Sequence, residues 1–188
     1  MPRTSLAVDD GIAQELANLA REKKMTLYAL VNEILDTCTK LLKEGADVKT
    51  LGNLWLIHKI LTEIETVVIP ADFMDSLIAD IWRYNKDELI EKFRTLGSEL
   101  SSLLKLYAND VDELLELART YVKYLPIKNL EARFVGNGIY EIGLVGVGRR
   151  IESTVCVAEF LKSLLSSYGS EILDEDISKG VIRMRIRC

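Results

Sequence analysis

The spacing of apolar positions changes twice along this chain, and each stretch predicts a different kind of element. Residues 3–8, Arg-Thr-Ser-Leu-Ala-Val, alternate. Thr4, Leu6 and Val8 share one face and Arg3, Ser5 and Ala7 the other, the two-residue period of a short strand. From Asp9, a candidate N-cap, the period becomes helical, with Ile12, Leu16, Leu19 and Ala20 on one side and a polar exit over Arg21-Glu22-Lys23-Lys24. Thr26 is the next N-cap. A second helix carries Leu27, Leu30, Val31, Ile34, Leu35, Cys38, Leu41 and Leu42, a stripe at i, i+3, i+4 and i+7 that Gly45 is placed to end.

The middle predicts helix throughout. Leu51, Leu54, Trp55, His58, Leu61 and Ile64 form one apolar face, and Val67-Val68-Ile69-Pro70 breaks it. A short helix with Phe73, Leu77, Ile78 and Ile81 follows, then a longer one from about Lys86 to Tyr107. A third, begun by Asp110 with Glu113, runs to Pro126. The last third alternates again. Leu130–Val135 and Ile139–Val147 are strands across Gly136-Asn137-Gly138, a hairpin signal. Ser153–Tyr168 is an amphipathic helix closed by Gly169. Glu171–Asp176 and Val181–Arg187 pair across Ser178-Lys179-Gly180. The expected fold class is α+β: an N-terminal strand-helix-helix module at 1–45, then a unit at 46–188. That unit has a helical part and a ββαββ antiparallel sheet with one helix, the sheet part covering 126–188.

Composition narrows the function. Nearly half of the 188 residues are hydrophobic, enough for a core. No stretch approaches the roughly 18 apolar residues of a membrane span, and the N-terminus has no signal-like apolar run, so the expectation is a cytoplasmic protein without a membrane partner. Cys38, Cys156 and Cys188 are scattered and odd in number, against both a disulfide framework and a cysteine-rich zinc site. Cys38 and Cys156 fall on apolar faces, as buried thiols do. The net charge is −5 but uneven. Residues 1–45 hold six basic and seven acidic side chains, residues 46–125 nine and fourteen, and residues 126–188 nine and eight. Either end can therefore face an anionic partner. Few Gln and His beside many Glu, Lys, Ile and Leu fit a thermophilic composition.

A single strand and two short helices cannot bury their apolar faces alone. Two copies can: the strands pair antiparallel, and four helices close over Thr4, Leu6 and Val8. The outer face of the two-stranded ribbon then fits a DNA major groove. Arg3-Thr4-Ser5-Leu6-Ala7-Val8-Asp9, with Ile12, Leu16, Leu19-Ala20-Arg21-Glu22 and Thr26-Leu27-Tyr28-Ala29-Leu30-Val31, resembles the ribbon-helix-helix repressors of the Arc and MetJ type over residues 2–44. The resemblance implies a homodimer on double-stranded DNA. Arg3, Ser5 and Ala7 would read bases, and Thr26, Leu27 and Tyr28 at the second helix start would hold a phosphate. Two positions depart from the family: Ala7 can only touch a thymine methyl, and Lys23-Lys24 replaces the usual glycine between the helices.

Other motifs have ordinary explanations. Gly143-Leu-Val-Gly146-Val-Gly148 before Arg149-Arg150 matches no phosphate-loop pattern and reads as a closely approached strand. Arg183, Arg185 and Arg187 form one solvated face of the last strand. His58, the only histidine, reads as a core residue rather than a metal ligand. Asp72 and Asp75 are charges at a helix start. No catalytic arrangement, metal site or cofactor motif is present, so no enzyme is expected. The order of elements after Gly97 (helix, hairpin, the Cys156 helix, terminal hairpin after Glu175) is similar to the small-molecule-binding 4-vinyl-reductase-like domains. These share a fold with haem-nitric-oxide-binding proteins and usually carry cysteines in the final hairpin, where this chain has only Cys188. That similarity implies a small-molecule effector. The sequence thus predicts a dimeric transcriptional regulator with a C-terminal sensor or oligomerisation domain. The alternative is an assembly protein that uses the first module only to dimerise.

Overall fold

The computed structural model describes residues 5–63, 65–122, 125 and 127–188. By compactness the chain forms two units, one up to Thr62 and one from Glu63 to Cys188. Ile64 and Pro126, expected on a helix face and at a helix end, lie outside the described residues.

In the first unit, α1 spans Asp10–Glu22, α2 Leu27–Lys43 and α3 Val48–Glu63, whose last residue crosses the division. The predicted caps are in place. Asp9 accepts from the Gly11 amide at 2.9 Å, and Thr26 accepts from the Ala29 amide at 3.1 Å. Each satisfies one of the amides a helix start leaves without a carbonyl. Residues 5–9 belong to no helix or strand. His58 is exposed on α3, tilted against Trp55 with ring centroids 5.4 Å apart. The expectation of a core histidine is thereby overturned, because α3 leaves Leu54, Trp55 and Leu61 exposed as well. Cys38 is only half-buried.

The second unit is the better packed. The two helices expected at 73–81 and 86–107 are one, α4 (Ala71–Leu104), bent at Asn85 where φ is −153° and ψ 67°. Asn85 restarts the helix by bonding with both its amide nitrogen and its oxygen to Glu88. α5 (Val111–Tyr121) follows, capped by Asp110 on the Glu113 amide at 2.9 Å. The strands are β1 (Asn129–Gly136), β2 (Ile139–Val147), β3 (Glu171–Ser178) and β4 (Gly180–Arg187), with α6 (Ile151–Ser167) between the hairpins. They form one antiparallel sheet in the order β1-β2-β4-β3. The first hairpin turns on Asn137 and Gly138, both at positive φ (52° and 70°), as a two-residue turn that follows the strand twist requires.

Register builds the core. Tyr140, Ile142 and Leu144 of β2 lie opposite Ile186, Met184 and Ile182 of β4. Except for half-buried Tyr140, these side chains are buried and join Ala158, Leu164 and Leu165 of α6 and Leu114 and Leu115 of α5. α4 packs along α6, and the α6 backbone lies close against Gly97. A Cβ there would sit 2.3 Å from the Phe160 carbonyl oxygen and 3.2 Å from the Leu164 nitrogen, so only glycine permits this approach. Tyr140 fastens α5 to the sheet. Its hydroxyl donates to Asp112 at 2.6 Å, and that carboxylate pushes the phenol up to about 12.

Candidate nucleic-acid interface

Arg3, the strongest expected base contact, lies outside the described residues, as does Thr4. Ser5 and Ala7 are exposed. Beside them, Leu6 is 68% exposed and Val8 51%, so both sides of this stretch are open in one chain. Thr26, Leu27 and Tyr28 stand together at the start of α2. Thr26 is occupied as the cap, and Leu27 and Tyr28 are exposed. The α2 N-terminus carries no acidic residue in its first turn, so the positive end of its dipole is not offset from within that turn.

The link between α1 and α2 explains how the chain manages without glycine. Lys24 takes the left-handed conformation, φ 55°. The Met25 amide then reaches back to the Ala20 carbonyl at 2.8 Å and the Lys24 amide to the Arg21 carbonyl at 3.0 Å. This is the double closure that ends many helices, made here by a residue for which the left-handed geometry costs about 1–2 kcal/mol.

Little of this unit is buried. Among its described residues, Ala20, Leu30 and Ile60 form its buried apolar set, whereas Leu6, Val8, Ile12, Leu19, Ile34 and Leu35 are all exposed. The amphipathic faces read from the sequence are formed, and several of their large apolar residues stay about two-fifths to one-half exposed.

The second unit holds the remaining candidates. The Arg183, Arg185 and Arg187 face is neutralised from its neighbours: Asp176 lies 3.4 Å from Arg183, Glu141 3.7 Å from Arg185 and Glu171 3.0 Å from Arg187. The glycine-rich turn leads into α6, where Gly146 and Gly148 have φ 85° and 70°. A cleft of about 620 Å³ opens beside it, lined by Asp72, Asp75, Arg149, Arg150, Glu152 and Lys179. Its anchor is acidic. Asp75, 7% exposed, accepts the Arg149 amide at 2.8 Å, and Asp72 pairs with the Arg149 guanidinium at 2.5 Å. A phosphate there would meet two carboxylates. The two aspartates do more than offset a helix dipole: they tie the start of α4 to the turn before α6.

Two solved structures resemble the chain. One is of a protein of the H-NOX family examined for heme distortion, with 14% identity over 69% of this chain and 81% of that one, at a TM-score of 0.43. The other concerns heme redox potential modulated by protein-induced porphyrin distortion, with 14% identity over 74% and 93%, at 0.42. The chain matches no protein-family model and no curated protein.

Sequence reasoning missed a second polar cluster. Glu159, 9% exposed on α6, receives Arg94 Nε at 2.8 Å and Lys162 Nζ at 2.6 Å, and Lys162 also meets Glu175 at 3.0 Å. Only the Lys162–Glu159 spacing, i and i+3 on one helix, was a visible signal. Cys156 on the same helix is fully buried, and desolvation, with Glu159 and Glu152 nearby, pushes its thiol up to about 11. No group of ligands able to hold a metal ion occurs among the described residues, and none of their helices is long and apolar enough to cross a membrane.

Proposed function

We propose that the chain is a cytoplasmic, dimeric DNA-binding regulator of the ribbon-helix-helix type. Its second unit would act as a sensor or oligomerisation domain for a small-molecule effector. One observation carries the reading: in a single chain, α1, α2 and the residues before them leave Leu6, Val8, Ile12, Leu19, Ile34 and Leu35 exposed. A second copy would cover these residues and supply a strand to pair with residues 3–8. Arg3, Ser5 and Ala7 would then face the groove, and the amides at Thr26, Leu27 and Tyr28 would hold a backbone phosphate.

The test is fluorescence anisotropy on a random duplex and on the DNA upstream of the coding sequence, over a salt series. The reading expects binding that weakens steeply with salt and prefers the upstream site. Arg3→Ala should cost about 1–3 kcal/mol and relax preference at one base pair. Unchanged affinity in that variant rejects groove reading by this segment. The acidic middle, with nine basic and fourteen acidic side chains over residues 46–125, and the inert Ala7 favour the second reading, an assembly protein that dimerises without DNA. Absence of duplex binding at low salt selects it.

A further inference from the structure

The two halves of α4 are held to the rest of their unit in different ways. The second half is clamped. Gly97 lies against the α6 backbone, Arg94 Nε bonds Glu159 of α6 at 2.8 Å, and Leu104 packs on the main core that joins α5, α6 and the sheet. The first half, residues 71–84, adds no side chain to that core among the described residues. Asp75, Ile78 and Ala79 are its buried residues. Ile78, with half-buried Met74 and Trp82, belongs instead to a small separate cluster around Cys156 of α6, which Leu89 and Phe93 complete from beyond the bend. At the start of the helix, Asp75 accepts the Arg149 amide at 2.8 Å and Asp72 pairs with the Arg149 guanidinium.

Between the two holds sits Asn85, whose φ of −153° and ψ of 67° interrupt the helix. Its side-chain oxygen accepts the Glu88 amide at 3.4 Å, and its amide nitrogen donates to the Glu88 carboxylate. The second half therefore carries a cap of its own and does not rely on the first half for a start. We propose that residues 71–84 form a hinged lid over Cys156, which opens at Asn85 while the second half of α4, α6 and the sheet stay folded. A segment opens by itself where few buried apolar contacts hold it, and the break at Asn85 sets the edge of this one. Opening uncovers Ile78 and breaks the Asp75 bond. It leaves Gly97, the Arg94–Glu159 pair and the main core in place. The lid gives the unit two arrangements, and a ligand that prefers one shifts the balance. The inference holds whether or not the chain binds DNA.

Cys156 reports the motion, because it is fully buried, sits on the part that stays and is covered by the part that moves. Thiol labelling of the full chain with excess dithiobis(nitrobenzoic acid), in a Cys38→Ser, Cys188→Ser background, follows it, since a buried thiol is inert until uncovered. Over urea concentrations below the unfolding transition, the labelling rate should rise with about half the urea dependence of unfolding or less, because the lid exposes only part of the unit's surface. Asp75→Ala should speed labelling about tenfold, as loss of a hydrogen bond to a charged group does, and keep the shallow dependence. Leu115→Ala, in the main core on α5, should lower the unit's stability and leave the rate without urea unchanged. A urea dependence equal to that of unfolding, or a rate that follows the stability lost in Leu115→Ala, means that Cys156 is reached only by unfolding of the whole unit and overturns the proposal. Labelling of Asp75→Ala at the parent's rate overturns it too. If Leu115→Ala does not fold, the parent's urea dependence and Asp75→Ala decide.

Discussion

Replacing Gly97 by alanine opposes two well-measured effects and predicts which one wins. Gly97 lies within α4 and is buried. Helix propensity alone makes Gly→Ala stabilising by about 1 kcal/mol. Geometry says otherwise. The new Cβ would stand 2.3 Å from the Phe160 carbonyl oxygen and 3.2 Å from the Leu164 nitrogen. Both atoms are α6 backbone, so no rotamer change relieves the clash, and ordinary contact requires the helices to part by about 1 Å. A gap of that size forfeits a quarter to a half of the dispersion well for the contacts it opens. Added volume in a packed core costs about 1–3 kcal/mol, and more when the backbone must move. The cost here belongs at or above the top of that range, leaving a net loss of about 2 kcal/mol after the propensity gain.

Urea unfolding measures it. A Trp55→Phe background leaves Trp82, on α4, as the one tryptophan of the chain, so fluorescence follows the second unit. With a slope of about 1–3 kcal/mol per molar urea, Gly97→Ala should lower the midpoint by about 1 M. Gly52→Ala is the control. Gly52 is helical and exposed on α3, with nothing within 4 Å of its added Cβ, so the propensity gain of about 1 kcal/mol should appear alone, read by circular dichroism in the wild-type background. A Gly97→Ala midpoint equal to or above the parent's refutes the argument that α4 and α6 meet backbone to backbone at this residue.

Two further outcomes follow from the polar contacts of α6. Burial resists ionisation of Glu159, but the hydrogen bonds from Lys162 and Arg94 outweigh it and hold the carboxyl below the usual carboxylate range. A depressed folded-state value stabilises above the unfolded value, about 4.3, and that stability is lost as pH falls through the lower folded value. Glu159→Gln should therefore destabilise at pH 7 and flatten the acid limb of stability against pH. The loss should be about 1–2 kcal/mol, below the full cost of breaking a buried pair because Arg94 is half-exposed; an acid limb identical to the parent's in urea melts between pH 3 and 7 removes the ion pair from the account. Thr154 is fully buried; its hydroxyl accepts the Gly180 amide at 2.9 Å and lies 2.9 Å from the Val147 carbonyl. Thr154→Val keeps the shape but strands that amide, for a loss of about 1–3 kcal/mol, and thermal melting that shows no change shows that the Gly180 amide does not depend on this hydroxyl.

What was legible in the sequence followed one rule: local chemistry could be read and remote pairing could not. Asp9, Thr26 and Asp110 were recognisable as caps because their partners lie two or three residues away. Asn137 and Gly138 marked their turn because few residues accept positive φ. The bend at Asn85 was read as a helix boundary because no proline marks it, and an asparagine that recaps the chain leaves the same pattern as a break. Asp75 and Glu159 were beyond reach, since the Arg149 amide and Arg94 lie 74 and 65 positions from them.

The exposed faces show a deeper limit. Leu77 and Ile78 are neighbours in one helix, and one is exposed while the other is buried. Hydrophobic periodicity states that a face is to be covered, because leaving it in water costs about 25 cal/mol per Å². It does not state which chain covers it, because that free energy is the same whether the covering atoms come from α6 or from another molecule. The stripes on α1 and α2 stay partly exposed in a single chain, at Ile12, Leu19, Ile34 and Leu35. The alternation in β4 is a statement about its own fold, because α6 and the sheet already bury Ile182, Met184 and Ile186. Separating the two kinds of stripe required the coordinates, and the residues left uncovered are the ones at which association has to be measured.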